Sequence, residues 1–172
     1  MGRVNPGQKI QKGAFPQYRL MKNTGFIVYR SQKLTILLRI LGFDVLYLQD
    51  EDYISAINLA KKTQRILISR VKFLRKLPWI FYLSSDNLEE QLEELLKGLE
   101  LEIERNNLFS RCSSCNNLLQ EVQEEEIKNE LPKDVCRKGY WFKKCPNCGK
   151  IFWNGTHIIT LEEKFKKLNI HL

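Results

Sequence analysis

The apolar positions between Phe26 and Val71 change their period repeatedly, and each change predicts an element. Phe26 to Tyr29 is a short run rich in β-branched and aromatic residues and reads as a strand. From Lys33 to Leu41 the apolar residues Leu34, Leu37, Leu38 and Leu41 recur at helical spacing, and Gly42 marks the helix end. Val45 to Leu48 predicts a second strand, Ile54, Ile57, Leu59 and Ala60 a second helix, and Ile66 to Ile68 a third strand. Lys72 to Lys76 is basic with Phe73 and Leu74 interleaved; Pro78 ends it, and Trp79 to Leu83 predicts a fourth strand. The stripe Leu88, Leu92, Leu95, Leu96 and Leu99 then predicts a long amphipathic helix running beyond Leu99. Asp86 with Glu89 has the form of a capping box at its start, and Glu89, Glu90, Glu93 and Glu94 read as a solvated face. Strands alternating with single helices imply crossovers and a mostly parallel sheet, hence an α/β fold. Open sheets of that kind carry their chemistry at the carboxyl ends of the strands. The residues of interest therefore stand just after Tyr29, Leu48, Ile68 and the strand ending at Leu83.

Charge sharpens the picture. The 172 residues have a formal net charge of +8, unevenly spread. Residues 1–25 carry Arg3, Lys9, Lys12, Arg19 and Lys22 and no acid, together with several Gly and Pro and the aromatics Phe15 and Tyr18. Such a segment cannot order itself on apolar burial; a basic arm with aromatics suits RNA, where cations meet phosphates and rings stack on bases. Residues 26–85 hold ten basic against four acidic side chains, and residues 86–110 eight acidic against two basic. One face is expected to be basic, and a basic field favours phosphate-rich partners. No apolar run approaches the ~20 residues needed to span a bilayer, and no apolar signal core follows the basic N-terminus. A cytoplasmic protein without a membrane partner is the expectation.

Two knuckles dominate the C-terminal part: Cys112-Ser113-Ser114-Cys115 and Cys145-Pro146-Asn147-Cys148. Two residues between thiolates let both reach one ion from a tight turn, and two such turns complete a tetrahedral four-sulfur site. Cys112, Cys115, Cys145 and Cys148 are thus the expected ligands of a structural zinc. The long connection between the knuckles predicts an excursion at residues 120–137. Cys136 is left over as a packing residue, and His157 is a competing ligand that four cysteines make unnecessary.

These stretches, taken in order, resemble the Mut-seven C-terminal RNase family, a PIN-like nuclease domain followed by a zinc ribbon. The resemblance rests on Lys33-Leu34, on Leu38 through Tyr47, on Arg65 through Arg70 and on Glu90-Gln91-Leu92. It continues through Arg111 to Cys115, Pro132 to Val135, and the segment from Trp141 to His157 that contains the second knuckle. It implies a PIN-like domain at 26–108 and a zinc-ribbon domain at 109–172; residues 1–25 lie outside it as a basic extension. It further implies a ribonuclease whose strand-end carboxylates hold Mg²⁺ or Mn²⁺ to activate water.

The chain departs from that pattern where the carboxylates belong. After the first strand it reads Arg30-Ser31 instead of an Asp, and after the third Ser69-Arg70-Val71 instead of Thr-Arg-Asp. Asp50, Asp52 and Asp86 remain as candidate catalytic residues with Glu51 nearby; Asp52 and Asp86 also suit helix caps. The leading expectation is an RNA-binding protein with a degenerate nuclease site, bound to structured RNA such as that of a ribosome or another ribonucleoprotein. Its contacts would be Arg30, Lys33, Arg70, Lys72, Arg75 and Lys76 with the N-terminal arm, and ribosomal or other ribonucleoprotein proteins are expected neighbours. Two alternatives stay open: an active metal-dependent ribonuclease, and a protein-interaction module using the acidic helix.

Overall fold

A computed structural model describes residues 25–77, 79–132, 135, 139–155, 163 and 165. Four strands, β1 (Phe26–Tyr29), β2 (Val45–Leu48), β3 (Ile66–Ser69) and β4 (Ile80–Tyr82), pair in parallel in the order β2-β1-β3-β4. Between them run helices α1 (Gln32–Ile40) and α2 (Tyr53–Thr63) and a 3-10 helix (Lys72–Lys76); α3 (Leu88–Gly98) follows β4.

The sheet is buried on both faces, which is why its strands read as continuous apolar runs rather than alternating ones. Phe26, Val28, Ile66, Ile68 and Phe81 meet Leu34, Leu38, Leu92 and Leu95 of α1 and α3 on one face. Ile27, Tyr29, Leu67 and Ile80 meet Ala56 and Ala60 of α2 and Leu74 of the 3-10 helix on the other. The alternation along β1, residue by residue, follows from the two-residue period of a strand. Helix α2 differs from the expectation built on its large residues. Its fully buried positions are Ala56 and Ala60, while Ile57 and Leu59 are only partly covered and Ile54 is exposed. Small residues let α2 lie close to the sheet.

Helix α1 ends at Leu41, after which Gly42 takes a φ of +91°, a conformation glycine adopts without Cβ strain. A Cβ here would also collide with the Asn107 carbonyl, from the 3-10 turn Arg105–Asn107 that leads out of the α/β layers.

A second sheet follows, antiparallel, in the order β5 (Gln120–Val122), β6 (Phe142–Lys144), β7 (Ile151–Trp153), with the short helix α4 (Glu124–Ile127) in the excursion. Among the described residues its core is small: Ile127, Leu131 and Phe142 are the buried members of its hydrophobic cluster. Phe165 lies in the expected ribbon segment by sequence, yet it packs into the α1–α3 core. Cys136 and His157 lie outside the described residues, as do Arg3, Lys9, Lys12, Arg19 and Lys22. Among the described residues no helix is long and apolar enough to cross a membrane.

Candidate functional site

At the carboxyl end of the parallel sheet lies a cavity of about 690 Å³. The loop after β1 supplies Arg30 and Ser31, and the start of α1 Gln32 and Lys33. Tyr47, Gln49 and Asp50 come from β2 and its loop, Arg70 follows β3, and Asp86, Leu88 and Gln91 close the far side.

The strand-to-helix turn at Arg30 is short enough to force a φ of +60°, a strained conformation for a side-chain-bearing residue. The turn is held by Arg30 N–H donating to the Leu48 carbonyl at 2.8 Å and by Arg30 Nε donating to the Gln49 carbonyl at 3.1 Å. The guanidinium lies 4.8 Å from the centre of the Tyr29 ring. Ser31 at the N-cap of α1 makes no side-chain capping bond, and the first turn of that helix has no acid. The positive end of its dipole thus faces the cavity without a side-chain acceptor.

The carboxylates are less available than their positions in the sequence suggest. Asp52 is the N-cap of α2: it accepts from Ile54 N–H at 2.8 Å, Ser55 N–H at 2.9 Å and the Ser55 hydroxyl at 2.7 Å. The Ser55 hydroxyl and these amides hold its carboxyl below the usual range, and it does not line the cavity. Asp86 lines the cavity but is ion-paired with Arg70. The expected capping role of Asp86 is corrected by one residue: Asn87 caps α3, accepting from Glu89 and Glu90 N–H. The acidic face of α3 is not wholly solvated either. Glu90 accepts from the Ser85 hydroxyl at 2.6 Å and Glu94 from Ser84 N–H at 2.9 Å, tying the loop after β4 to the helix. Asp50 lines the cavity. Three cations, Arg30, Lys33 and Arg70, therefore face two carboxylates, one of them paired.

Lys72, Arg75 and Lys76 are exposed on the 3-10 helix just beyond Arg70, outside the cavity lining. Gln91, part of the resemblance but not among the candidate site residues, also lines the cavity. Its amide donates to the Ser85 carbonyl at 2.9 Å, and its Oε1 is buried without a partner. The signal was present: Gln91 stands three residues after Leu88 and one before Leu92, a polar residue at a core position of the helix.

The four cysteines form the second centre. Among the described residues they are the one group of three or more metal-ligating side chains, and their sulfurs all lie within 4.8 Å of one another. Cys112 Sγ is 3.5 Å from Cys148 and Cys115 Sγ 3.4 Å from Cys145, too far for a disulfide. Four sulfurs placed ~2.3 Å from one zinc ion in a tetrahedron stand roughly 3.8 Å apart, so the cradle fits a metal such as zinc. Burial pushes the Cys112 thiol up to about 12 and raises Cys145, whereas the Asn117 amide beside Cys115 pulls that thiol down to about 6. A metal entering the cradle must displace protons from the two buried thiols.

The first knuckle is docked at the amino end of the parallel sheet, opposite the cavity. Arg39, buried on α1, donates through Nε and one terminal nitrogen to the Val45 carbonyl, at 3.0 and 2.8 Å. Its other terminal nitrogen reaches the carbonyls of Ser113 and Ser114 at 3.1 and 2.8 Å. Asn116 returns the contact, accepting from Val45 N–H at 3.0 Å and donating to Asp44. Asp44 in turn pairs with Arg65 at 2.8 Å.

Burial raises the pKa of Asp44, but the bonds from Arg65 and Asn116 outweigh it, and the net direction is downward. A depressed folded value contributes stability that is present above the unfolded value of ~3.9 and lost as pH falls through the folded one. The thermal midpoint of the wild-type chain should therefore fall more steeply below about pH 4 than that of Asp44→Asn. Parallel midpoint curves for the two proteins would contradict this account.

A family model, the Mut7-C RNAse domain, matches residues 26–165, which takes in the parallel sheet, the cavity and both knuckles. Neither the curated proteins nor the solved structures compared with the chain gave a match.

Proposed function

The chain belongs to the Mut7-C RNAse domain family, and from that premise we propose that it binds RNA through a strand-end cleft that no longer cuts it. The nuclease of such a fold needs several carboxylates gathered on one divalent ion. The observation that carries the reading is the charge of the cleft: Arg30, Lys33 and Arg70 line it against Asp50 and the Arg70-paired Asp86. The Asp52 carboxylate is engaged by the first turn of α2. Arginine forks and an uncapped helix N-terminus are donors for phosphate oxygens, not ligands for a cation. The RNA partner is a structured one, such as that of a ribosome or another ribonucleoprotein, with the basic segment 1–25 as an additional contact.

Two measurements test this. Binding of labelled structured RNA should weaken steeply with salt, and Arg30→Ala or Lys33→Ala should each flatten the log–log slope by about 0.7 to 0.9. The same RNA should stay intact with Mg²⁺ or Mn²⁺. Cleavage that Asp50→Asn abolishes would replace this reading with that of an active ribonuclease. Absence of binding at physiological salt would remove it.

A further inference from the structure

Three of the five exposed large hydrophobic residues among those described lie near the cleft: Tyr53, Ile54 and Phe73, with relative exposures of 41%, 55% and 59%. Tyr53 opens α2 and Phe73 lies in the 3-10 helix, so they follow the carboxyl ends of β2 and β3, as the cleft does. Their rings meet edge to face, with centres 4.8 Å apart and planes at 80°. Such a pair covers only one face of one ring. Phe73 is not what anchors the 3-10 helix, because its neighbour Leu74 is buried in the core beneath. Phe73 is flanked along the chain by the exposed cations Lys72, Arg75 and Lys76, whereas Tyr53 follows the exposed acids Asp50, Glu51 and Asp52. Tyr53 is three residues from Asp50 and Phe73 three from Arg70, which puts each within about 11 Å of a cleft residue, Cα to Cα.

We propose that Tyr53 and Phe73 form a base-stacking step that takes an unpaired nucleotide of an RNA whose backbone enters the cleft. The inference rests on the RNA-binding reading and adds the substrate class: a single-stranded stretch rather than a continuous duplex. The cations on the Phe73 side of the pair favour this occupant, with the phosphates lying on that side and away from the acids before Tyr53. Lysines and an arginine beside an aromatic pair are the pattern of sequence-tolerant single-strand binding, with phosphates on the cations and bases on the rings. Bases stacked within an uninterrupted duplex offer no face to such a step.

The test is a fluorescence-anisotropy titration of the full chain with three probes of matched length, about twelve nucleotides: oligouridylate, an abasic strand and a blunt RNA duplex. The wild-type chain should bind oligouridylate best. Phe73→Ala and Tyr53→Ala should each weaken oligouridylate binding about tenfold and leave abasic binding unchanged. That abasic result also reports that the variants are folded. Phe73→Trp should retain or tighten oligouridylate binding. Equal losses on both single strands, no loss on either, or equal wild-type affinity for base-bearing and abasic strands would overturn the step while leaving phosphate recognition standing; the exposed rings would then fit a protein partner. A wild-type chain that binds structured RNA but none of these probes would overturn the step alone, and one that binds neither would overturn both readings.

Discussion

Stripping the metal from the four-cysteine cradle is expected to unfold the antiparallel sheet while the parallel sheet keeps its secondary structure. Among the described residues the C-terminal core consists of Ile127, Leu131 and Phe142, with partly buried neighbours such as Val122 and Trp153. A core of that size does not hold a segment together unaided. The cradle supplies what is missing, since binding at a four-thiolate zinc site contributes about 10 kcal/mol or more of apparent folding free energy near neutral pH. The α/β layers, with more than twenty buried apolar side chains in two clusters and around them, do not depend on it in the same way. Treating the purified protein with a strong chelator should release about one equivalent of metal and flatten the near-ultraviolet circular dichroism from Trp141 and Trp153. Most of the far-ultraviolet signal should remain. Returning zinc should restore the spectrum with release of protons, because thiols freed from the metal are mostly protonated near neutral pH. Cys148→Ser should reproduce the chelated spectrum in untreated protein. A near-ultraviolet spectrum indifferent to both treatments would show that the cysteines are bystanders.

What the sequence displayed well was anything with a local signature. The alternation of short apolar runs with helical stripes was enough to place the four strands and three main helices along the chain and to point at the carboxyl end of the sheet, where the cavity is found. The paired knuckles announced their cradle through spacing alone. Choices between neighbouring residues were not displayed. Asp86 and Asn87 both suit a cap; Arg70, arriving from the end of β3, draws Asp86 away and leaves the cap to Asn87. Glu90 and Glu94 looked solvated because their partners, Ser85 and Ser84, are serines whose hydroxyls can bond in many directions. Least visible of all was the junction between the two sheets. Arg39 reads as the polar edge of an amphipathic helix, and Asn116 as a turn residue; its φ of +70° is one asparagine tolerates. Their partners across the junction are more than seventy residues away, and no period or spacing encodes a contact of that range.

That junction carries the other large effect: Arg39→Met should lower the unfolding free energy by about 3 kcal/mol. The substitution keeps much of the buried stem and removes the charged fork. Four charge-assisted bonds are lost. The two to Val45 are buried, so their acceptor loses partners that water cannot easily replace. The two to Ser113 and Ser114 are only part-buried, and water recovers some of their contribution. Burial lowers the pKa of Arg39 from its ordinary value, while Cys112, Cys115 and Asp44 oppose that shift. The same positive charge therefore favours thiolates in the cradle, and its removal should weaken metal binding by about 10- to 100-fold as well. Arg39→Lys separates charge from geometry. An ammonium on a single stem cannot bond Val45 on one side and the knuckle carbonyls on the other, so it should restore metal affinity better than stability. Denaturant unfolding of the metal-loaded variants, with a competitive chelator titration alongside, measures both quantities. A loss below about 1 kcal/mol for Arg39→Met, or full recovery of stability by lysine, would mean that the two sheets are held together by something other than this residue.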